Sequence, residues 1–305
     1  SNIHKGWDWC SGYHYSDSIV IGFSHLHLNG TGCSDTGDIL FMPYTGKART
    51  QPGTQQDPLA GYASYYSKDN ERALPGYYEV LLKTHRTKVE LTASDRVAFH
   101  RYTFPKDVEK HVMINLKDAN GDDRPTDTYL EQINDTVIRG YRYSTGWSKK
   151  QQIYFSAVFS QPVHLTLYHD SVQVAGNRLQ GLDVKGNVAV APVVEELGVK
   201  VGISPVSMEN AMDNIGQEIK DWNFENIVAE TTGKWNAELS KLQVETTDTV
   251  AKRIFYTALY HAFMQPIMFN DCSGEYRGTD KNIYGDPGFT NYTVFSLWDT
   301  YRAAH

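Results

Sequence analysis

Cysteine is scarce: Cys10, Cys33 and Cys272 are the only three in 305 residues. Three thiols cannot make a disulfide framework, and none stands in the Cys-x-x-Cys spacing of a zinc site. No run of Lys or Arg occurs, and the formal charge is −7 with the acidic residues dispersed, which argues against a phosphate-backbone partner. Long apolar stretches are also missing; none approaches the roughly 20 residues that span a bilayer. The first residues lack a charged-then-apolar signal region, and this leaves export undecided. Gly-x-Ser-x-Gly is absent, so there is no nucleophile elbow for Ser-His-Asp chemistry. Gly30-x-Gly32 is no dinucleotide fingerprint, because Asp35 stands at the third glycine position and no crossover helix follows.

What the chain has is a globular balance, 40% hydrophobic and 21% charged, enough for one large core or two ordinary ones. Tyrosine is abundant, 20 copies beside 12 Phe and 6 Trp. Such rings suit the faces of β-sheets and also suit polar ligands with apolar C–H faces, such as sugars. Up to about residue 205 the pattern predicts strands. Ile19–Phe23, Ile39–Met42, Tyr77–Leu82, Lys88–Leu91, Val97–Tyr102, Val112–Leu116, Ile153–Phe159 and Val163–Tyr168 are rich in β-branched and aromatic residues, with Gly, Asn, Asp and Pro between them. Asn187–Val194 and Val199–Ile203 close the series, and the whole reads as an antiparallel sandwich.

After Pro205 the period changes. Ser207 is placed to cap a helix that reaches about Ile219. From Asn223, Phe224, Ile227, Val228, Trp235, Leu239 and Leu242 form one helical stripe, and Thr249 opens a third helix with a wide apolar face ending at Pro266. A glycine-punctuated loop then leads to Val294–His305, which reads as helical. Broad apolar helix faces with few partners to cover them create the expectation of further chain.

Individual constellations have modest readings. His25 and His27 share a face if they lie on a strand, a pair that more often serves packing or hydrogen bonding than a metal. Asn29-Gly30-Thr31-Gly32 lets backbone approach a ligand closely. Asp118-Ala119-Asn120-Gly121-Asp122 begins like a calcium loop but fails as an EF-hand, with Asp123 where glycine is needed and Tyr129 where the bidentate Glu belongs. Trp7-Asp8-Trp9-Cys10 and Tyr13-His14-Tyr15 crowd aromatics together, with packing across a sheet the preferred account. Trp298-Asp299 couples an indole to a carboxylate, a pairing that can stack a pyranose and hold its hydroxyls. With 36 Asp and Glu residues, no general acid/base pair can be selected from spacing.

Several blocks, in order, resemble glycoside hydrolase family 92. They are Gly6-Trp7-Asp8, Gly22–Leu28 running into Gly30-Thr31-Gly32-Cys33-Ser34-Asp35, Ala63-Ser64-Tyr65-Tyr66-Ser67, Phe99-His100-Arg101-Tyr102, Gly146-Trp147, Ile254–His261 and Asn291–Ala303 with Leu297-Trp298-Asp299-Thr300 inside it. The resemblance implies a β-then-α chain: an N-terminal antiparallel β-sandwich (1–205), a helical linker (206–245) and the beginning of an (α/α)6 catalytic barrel (246–305). It also implies exo-acting, inverting, Ca²⁺-assisted hydrolysis of terminal α-mannosides on glycans, the cation contacting the hydroxyls at carbons 2 and 3. On the matching motifs, Asp299 is expected to accept hydrogen bonds from the sugar while Trp298 packs against its ring. Cys33 is expected on a loop bearing on linkage preference, with Thr31, Gly32 and His25 as further substrate-binding candidates. The general acid, the general base and most of the calcium site are expected outside this chain, so its metal ligands stay unknown. Two rival readings are a non-catalytic sugar-binding module and a mannosyl-phosphate hydrolase of the same fold. A periplasmic or secreted location is expected for the full-length protein.

Overall fold

The computed structural model describes residues 3, 12–26, 38–118, 123–285 and 288–293. Two antiparallel sheets dominate. The larger has nine strands in the order Arg178–Gly181, Arg124–Gln132, Val137–Thr145, Gln151–Phe159, Glu196–Ser204, Val97–Thr103, Thr87–Ala93, Tyr77–Leu82 and Glu71–Leu74. The smaller has six: Val172–Val174, Val163–His169, Val184–Val190, Lys110–Asn115, Leu40–Thr45 and Phe23–Ser24. Alternation along the strands turns Phe41, Val112, Ile114, Leu165 and Val188 toward Leu130, Phe155 and Val199 of the larger sheet, in one continuous buried cluster. Gly186 leaves room for this interleaving, since a Cβ there would stand 2.4 Å from a Leu130 methyl.

The outer face of the smaller sheet is polar and yet buried, because the connection 46–66 lies across it. Tyr44 donates its hydroxyl to Asn187 Oδ1 at 2.6 Å, Asn115 Nδ2 donates to the Tyr62 hydroxyl at 2.8 Å, and the fully buried Lys185 donates to Thr50 O at 3.0 Å. Buried polar groups are tolerable when paired in this way.

The first two helices cover part of the outer face of the larger sheet. Helix α1 (Met208–Glu218) is capped by Ser207, whose hydroxyl accepts from Asn210 N at 3.0 Å; α2 (Phe224–Leu239) is capped by Asn223. Such caps contribute about 1 kcal/mol each. Ile215 and Ile219, with Phe224 and Ile227, bury themselves on Val97 and Phe99, each side chain worth roughly 1.5–3 kcal/mol. Gly202 permits the approach, because a Cβ there would lie 2.1 Å from the Ala211 carbonyl oxygen of α1. Helix α3 (Thr249–Ala262) buries none of its residues; Val250 and Ile254 are each 64% exposed, and its contact with α2 includes Tyr260 against Trp235, ring centroids 4.6 Å apart.

Some strand readings change. The run Ile19–Phe23 is two short strands: Ile19–Val20 pairs with Ser64–Tyr65, and Phe23–Ser24 joins the smaller sheet. Gly22 makes the break at φ 151°, and a Cβ there would press on the Leu40 side chain at 2.7 Å. The nine-residue strands Arg124–Gln132 and Val137–Thr145 do not register as apolar runs. Their outward residues include Tyr129, Glu131, Arg139, Tyr141 and Tyr143, and one inward residue is Arg142. Tyrosines absorb much of that outer surface by stacking on one another, Tyr141 on Tyr143 with centroids 4.4 Å apart. The expected helix at 294–305 lies outside the described residues.

Candidate functional site

His25 sits just after the short edge strand Phe23–Ser24 of the smaller sheet. Its backbone N–H donates to Asp38 O at 3.2 Å, so His25 and Asp38 stand side by side. The His25 ring fixes this root through a chain of hydrogen bonds whose proton positions follow from chemistry. Nδ1 is 2.6 Å from Ile39 O, and a carbonyl only accepts, so His25 carries its proton on Nδ1. Its Nε2 must then accept from His100 Nε2 at 3.1 Å. His100 Nδ1, left as an acceptor, takes the hydroxyl proton of buried Tyr102 at 2.6 Å. The two imidazoles stack with centroids 4.9 Å apart, and Phe41 meets His25 edge-on. A second proton on His25 would go to its Nε2 and set N–H against the N–H of His100. Burial pushes His25 down to about 4, against the hydrogen bond to Ile39 O, which raises it. Burial and the neighbouring His25 hold His100 well below an ordinary imidazole.

The Asp38 side is fixed by charge. Asp38 and Arg142 are fully buried and paired; Arg142 Nη1 also reaches Asp123 Oδ2 at 2.7 Å, and its Nε donates to Leu116 O at 2.9 Å. Gln151 donates to the other Asp38 oxygen. Two carboxylates share one guanidinium, so burial pushes Asp38 up to about 6, with the Arg142 charge opposing and the Asp123 charge adding.

Two clefts flank this root. The first, about 980 Å³, lies between the sandwich and α2 and α3, and its walls include His25, His100, Tyr78, Trp235 and Tyr260. The second, about 620 Å³, runs between the larger sheet and residues 267–284 and 291–293, with Leu26, Trp147, Phe269, Tyr276, Asn291 and Thr293 among its walls. Leu26 and Thr293 are the described residues that immediately precede 27–37 and 294–305. Thr31, Gly32 and Cys33 fall in the first of those stretches, and Trp298 and Asp299 in the second. All five lie outside the described residues, as do His27, residues 119–122 and Trp7 to Cys10. Both nitrogens of His25 are occupied by Ile39 and His100. Tyr13 and Tyr15 gather round Lys68, whose ammonium lies 4.3 and 5.4 Å from their ring centroids. Sequence reasoning gave no role to His100, Tyr102, Asp38 or Arg142, although His100 and Tyr102 stand in one of the resembling blocks and share one strand face.

Among the described residues, no group of three or more His, Cys, Asp or Glu side chains stands where it could hold a metal ion, so none is assigned to calcium. The carboxylates on the clefts are engaged: Asp95 with Lys234 at 2.9 Å, Glu238 with Lys241 at 2.5 Å, and Asp280 with the Tyr284 hydroxyl at 2.6 Å. The Tyr284 hydrogen bond holds the exposed Asp280 below the usual carboxylate range.

Comparison with known proteins gives this arrangement a family. Residues 1–204 match the glycosyl hydrolase family 92 N-terminal domain and residues 210–305 match the glycosyl hydrolase family 92 catalytic domain. The family GH92 alpha-mannosidase of Bacteroides thetaiotaomicron is 37% identical over 97% of this chain and 41% of its own, with TM-score 0.93; a structure of the same protein in complex with mannoimidazole superposes at 0.92. The GH92 inverting mannosidase of Bacteroides thetaiotaomicron VPI-5482 is 20% identical over 92% of this chain and 37% of its own, with TM-score 0.76, a likeness of fold. An "uncharacterized secreted glycosidase" of Arthroderma benhamiae is 23% identical over 95% of this chain and 40% of its own. The chain thus spans about two-fifths of the length of these relatives. Matched along nearly its whole length by the two domain models, in order and with the sandwich coming first, the chain belongs to glycosyl hydrolase family 92.

Proposed function

We propose that the full-length protein is an exo-acting glycoside hydrolase that removes terminal α-linked mannose from glycans with inversion, and that this chain supplies the sandwich (1–205), a helical linker (206–245) and part of a helical catalytic domain (246–305). One observation carries the reading: Leu26 and Thr293, which lead into the glycine-rich segment and into the Trp298–Asp299 segment, line a single cleft. Two described residues far apart in sequence thus share one concavity, with Trp147 and Tyr276 on its walls to stack against a sugar. The alpha-mannosidase relative at 37% identity supports mannose as the sugar, and the inverting mannosidase relative is in keeping with the stereochemistry proposed.

In this reading Asp299 accepts from mannose hydroxyls and Trp298 packs on the ring. Cys33, Gly32 and Thr31 border the leaving-group side, and His25 roots their segment. Inversion needs an acid and a base about 6.5–9.5 Å apart, with water between base and sugar; no pair among the described residues is assigned to it. Calcium, when bound, would fix two hydroxyls and favour a flattened, oxocarbenium-like ring. Its ligands are not placed on any described residue and no step is derived through it. The relative named a secreted glycosidase supports an exported protein.

The test is Asp299→Asn in the full-length protein assayed on an α-mannoside. The expected outcome is a fall in kcat/KM of at least ~10²-fold, about 2.7 kcal/mol of transition-state binding. Unchanged kinetics refute the role of Asp299. A full-length protein that binds mannose but hydrolyses no α-mannoside would make it a binding module.

A further inference from the structure

The wall of the second cleft formed by residues 267–284 and 291–293 is held to the sandwich by a buried carboxylate. Phe269 N donates to Asn291 O at 2.8 Å and Thr293 N to Ile267 O at 2.8 Å, so 267–269 and 291–293 form one short antiparallel ribbon. Two residues beyond Phe269 stands Asp271, 2% exposed. Its Oδ2 accepts from Ser204 Oγ at 2.7 Å and Asn210 Nδ2 at 2.9 Å, and its Oδ1 from Asn214 Nδ2 at 2.8 Å. Ser204 ends the last strand of the larger sheet, and Asn210 and Asn214 lie one turn apart on α1. The donors are themselves fixed: Asn214 Nδ2 also donates to Ile203 O at 2.9 Å, its Oδ1 accepts from Cys272 N at 2.9 Å, and Ser204 Oγ accepts from Val206 N at 2.9 Å. Arg96 pairs with Glu218 of α1 at 2.6 Å and donates to Asn270 O, adding a second clamp beside the first.

A surface loop needs no such device. Burying a carboxylate is costly unless every donor is in place, and these donors come from the strand and helix that the core already holds rigid. We propose that Asp271 is a positioning residue: it sets the place of the ribbon that carries Phe269, Asn291 and Thr293, and through it the width of the sugar cleft. The inference rests on the mannosidase reading for its kinetic consequence, and its mechanical content can be measured separately.

The experiment is Asp271→Asn in the full-length protein. The shape is kept, but one oxygen becomes an NH2 that faces another donor. Amide hydrogen exchange at Phe269 and Thr293 is expected to quicken at least ~10-fold. The kcat/KM for an α-mannoside is expected to fall at least ~10-fold, with KM carrying most of the change. Asn223→Ala, which removes the cap of α2 away from this junction, is the control for simple destabilisation and should lower Tm without moving kcat/KM. Should Asp271→Asn not fold, Asn210→Ala deletes one of the three donors and should give the same exchange and kinetic changes at about 3-fold. Unchanged exchange at the two amides, or unchanged kcat/KM beside a lowered Tm, overturns the inference. A wild-type protein inactive on every α-mannoside sinks the mannosidase reading, and the exchange measurement still decides the anchor.

Discussion

Acid should loosen the root of the glycine-rich segment before it denatures the sandwich by other routes, and the size of the effect follows from the His25–His100–Tyr102 chain. An unfolded imidazole binds its second proton near 6.5, while folded His25 resists until about 4. Between those values the unfolded state holds more protons than the folded state. Stability therefore falls as pH drops through this window, and the loss is complete only below the folded value. Linkage over that window gives about 2 kcal/mol lost between neutral pH and pH 5. Because the His25 side chain keeps some exposure, about 1–2 kcal/mol is the fair expectation. His100, also held low, acts in the same direction. The control is His25→Asn, whose amide nitrogen occupies the place of Nδ1, can still donate to Ile39 O, and does not titrate. Urea denaturation of wild type and variant at pH 7 and pH 5 isolates the term as a double difference, and the ring Cε1 resonance of His25 in an NMR pH titration reports its protonation directly. A His25 ring that titrates near 6.5, or a double difference near zero, refutes the tautomer assignment on which the reasoning rests.

Other expectations concern the same region. Arg142→Ala strands Asp38 and Asp123 in the interior and should cost about 3–5 kcal/mol in chemical denaturation; the triple change Arg142→Met, Asp38→Asn, Asp123→Asn should recover most of it, and a cost under 1 kcal/mol for the single variant would contradict the burial of the pair. Trp147 is 69% exposed on the second cleft, so Trp147→Ala should leave Tm within a degree or two while raising KM for mannosides by a factor corresponding to about 0.5–1.5 kcal/mol of aromatic contact. Chelation should abolish mannoside hydrolysis by the full-length protein and calcium add-back restore it; activity indifferent to chelation removes the cation from the reaction.

How much of this was legible in the sequence depended on which interaction did the ordering. Strands whose two faces are both covered, such as Leu40–Thr45, advertise themselves as apolar runs because desolvation orders them. Strands such as Val137–Thr145 are held equally firmly, but their outer face is self-stacked tyrosine and their inner face admits Arg142, so no hydropathy period betrays them. The change from strand to helix after Pro205 was readable for a local reason. Ser207 and Asn223 announce helix starts through short-range hydrogen bonds that depend on almost nothing distant.

The supports of the candidate site belong to the opposite case. His25 pairs with His100 across 75 residues, Arg142 with Asp38 across 104, and Asn214 with Asp271 across 57. Each partner is an ordinary polar residue in its own neighbourhood, and only the closed sandwich makes it a buried acceptor or donor whose loss would be felt. A pairing such as Trp298-Asp299 is made of neighbours in sequence and so is visible in one dimension. The residues that must hold such a motif still are defined by burial, which exists only after folding. Positioning residues are therefore the part of a site that sequence conceals, and a buried carboxylate clamped by three neutral donors is the form in which this structure reveals one.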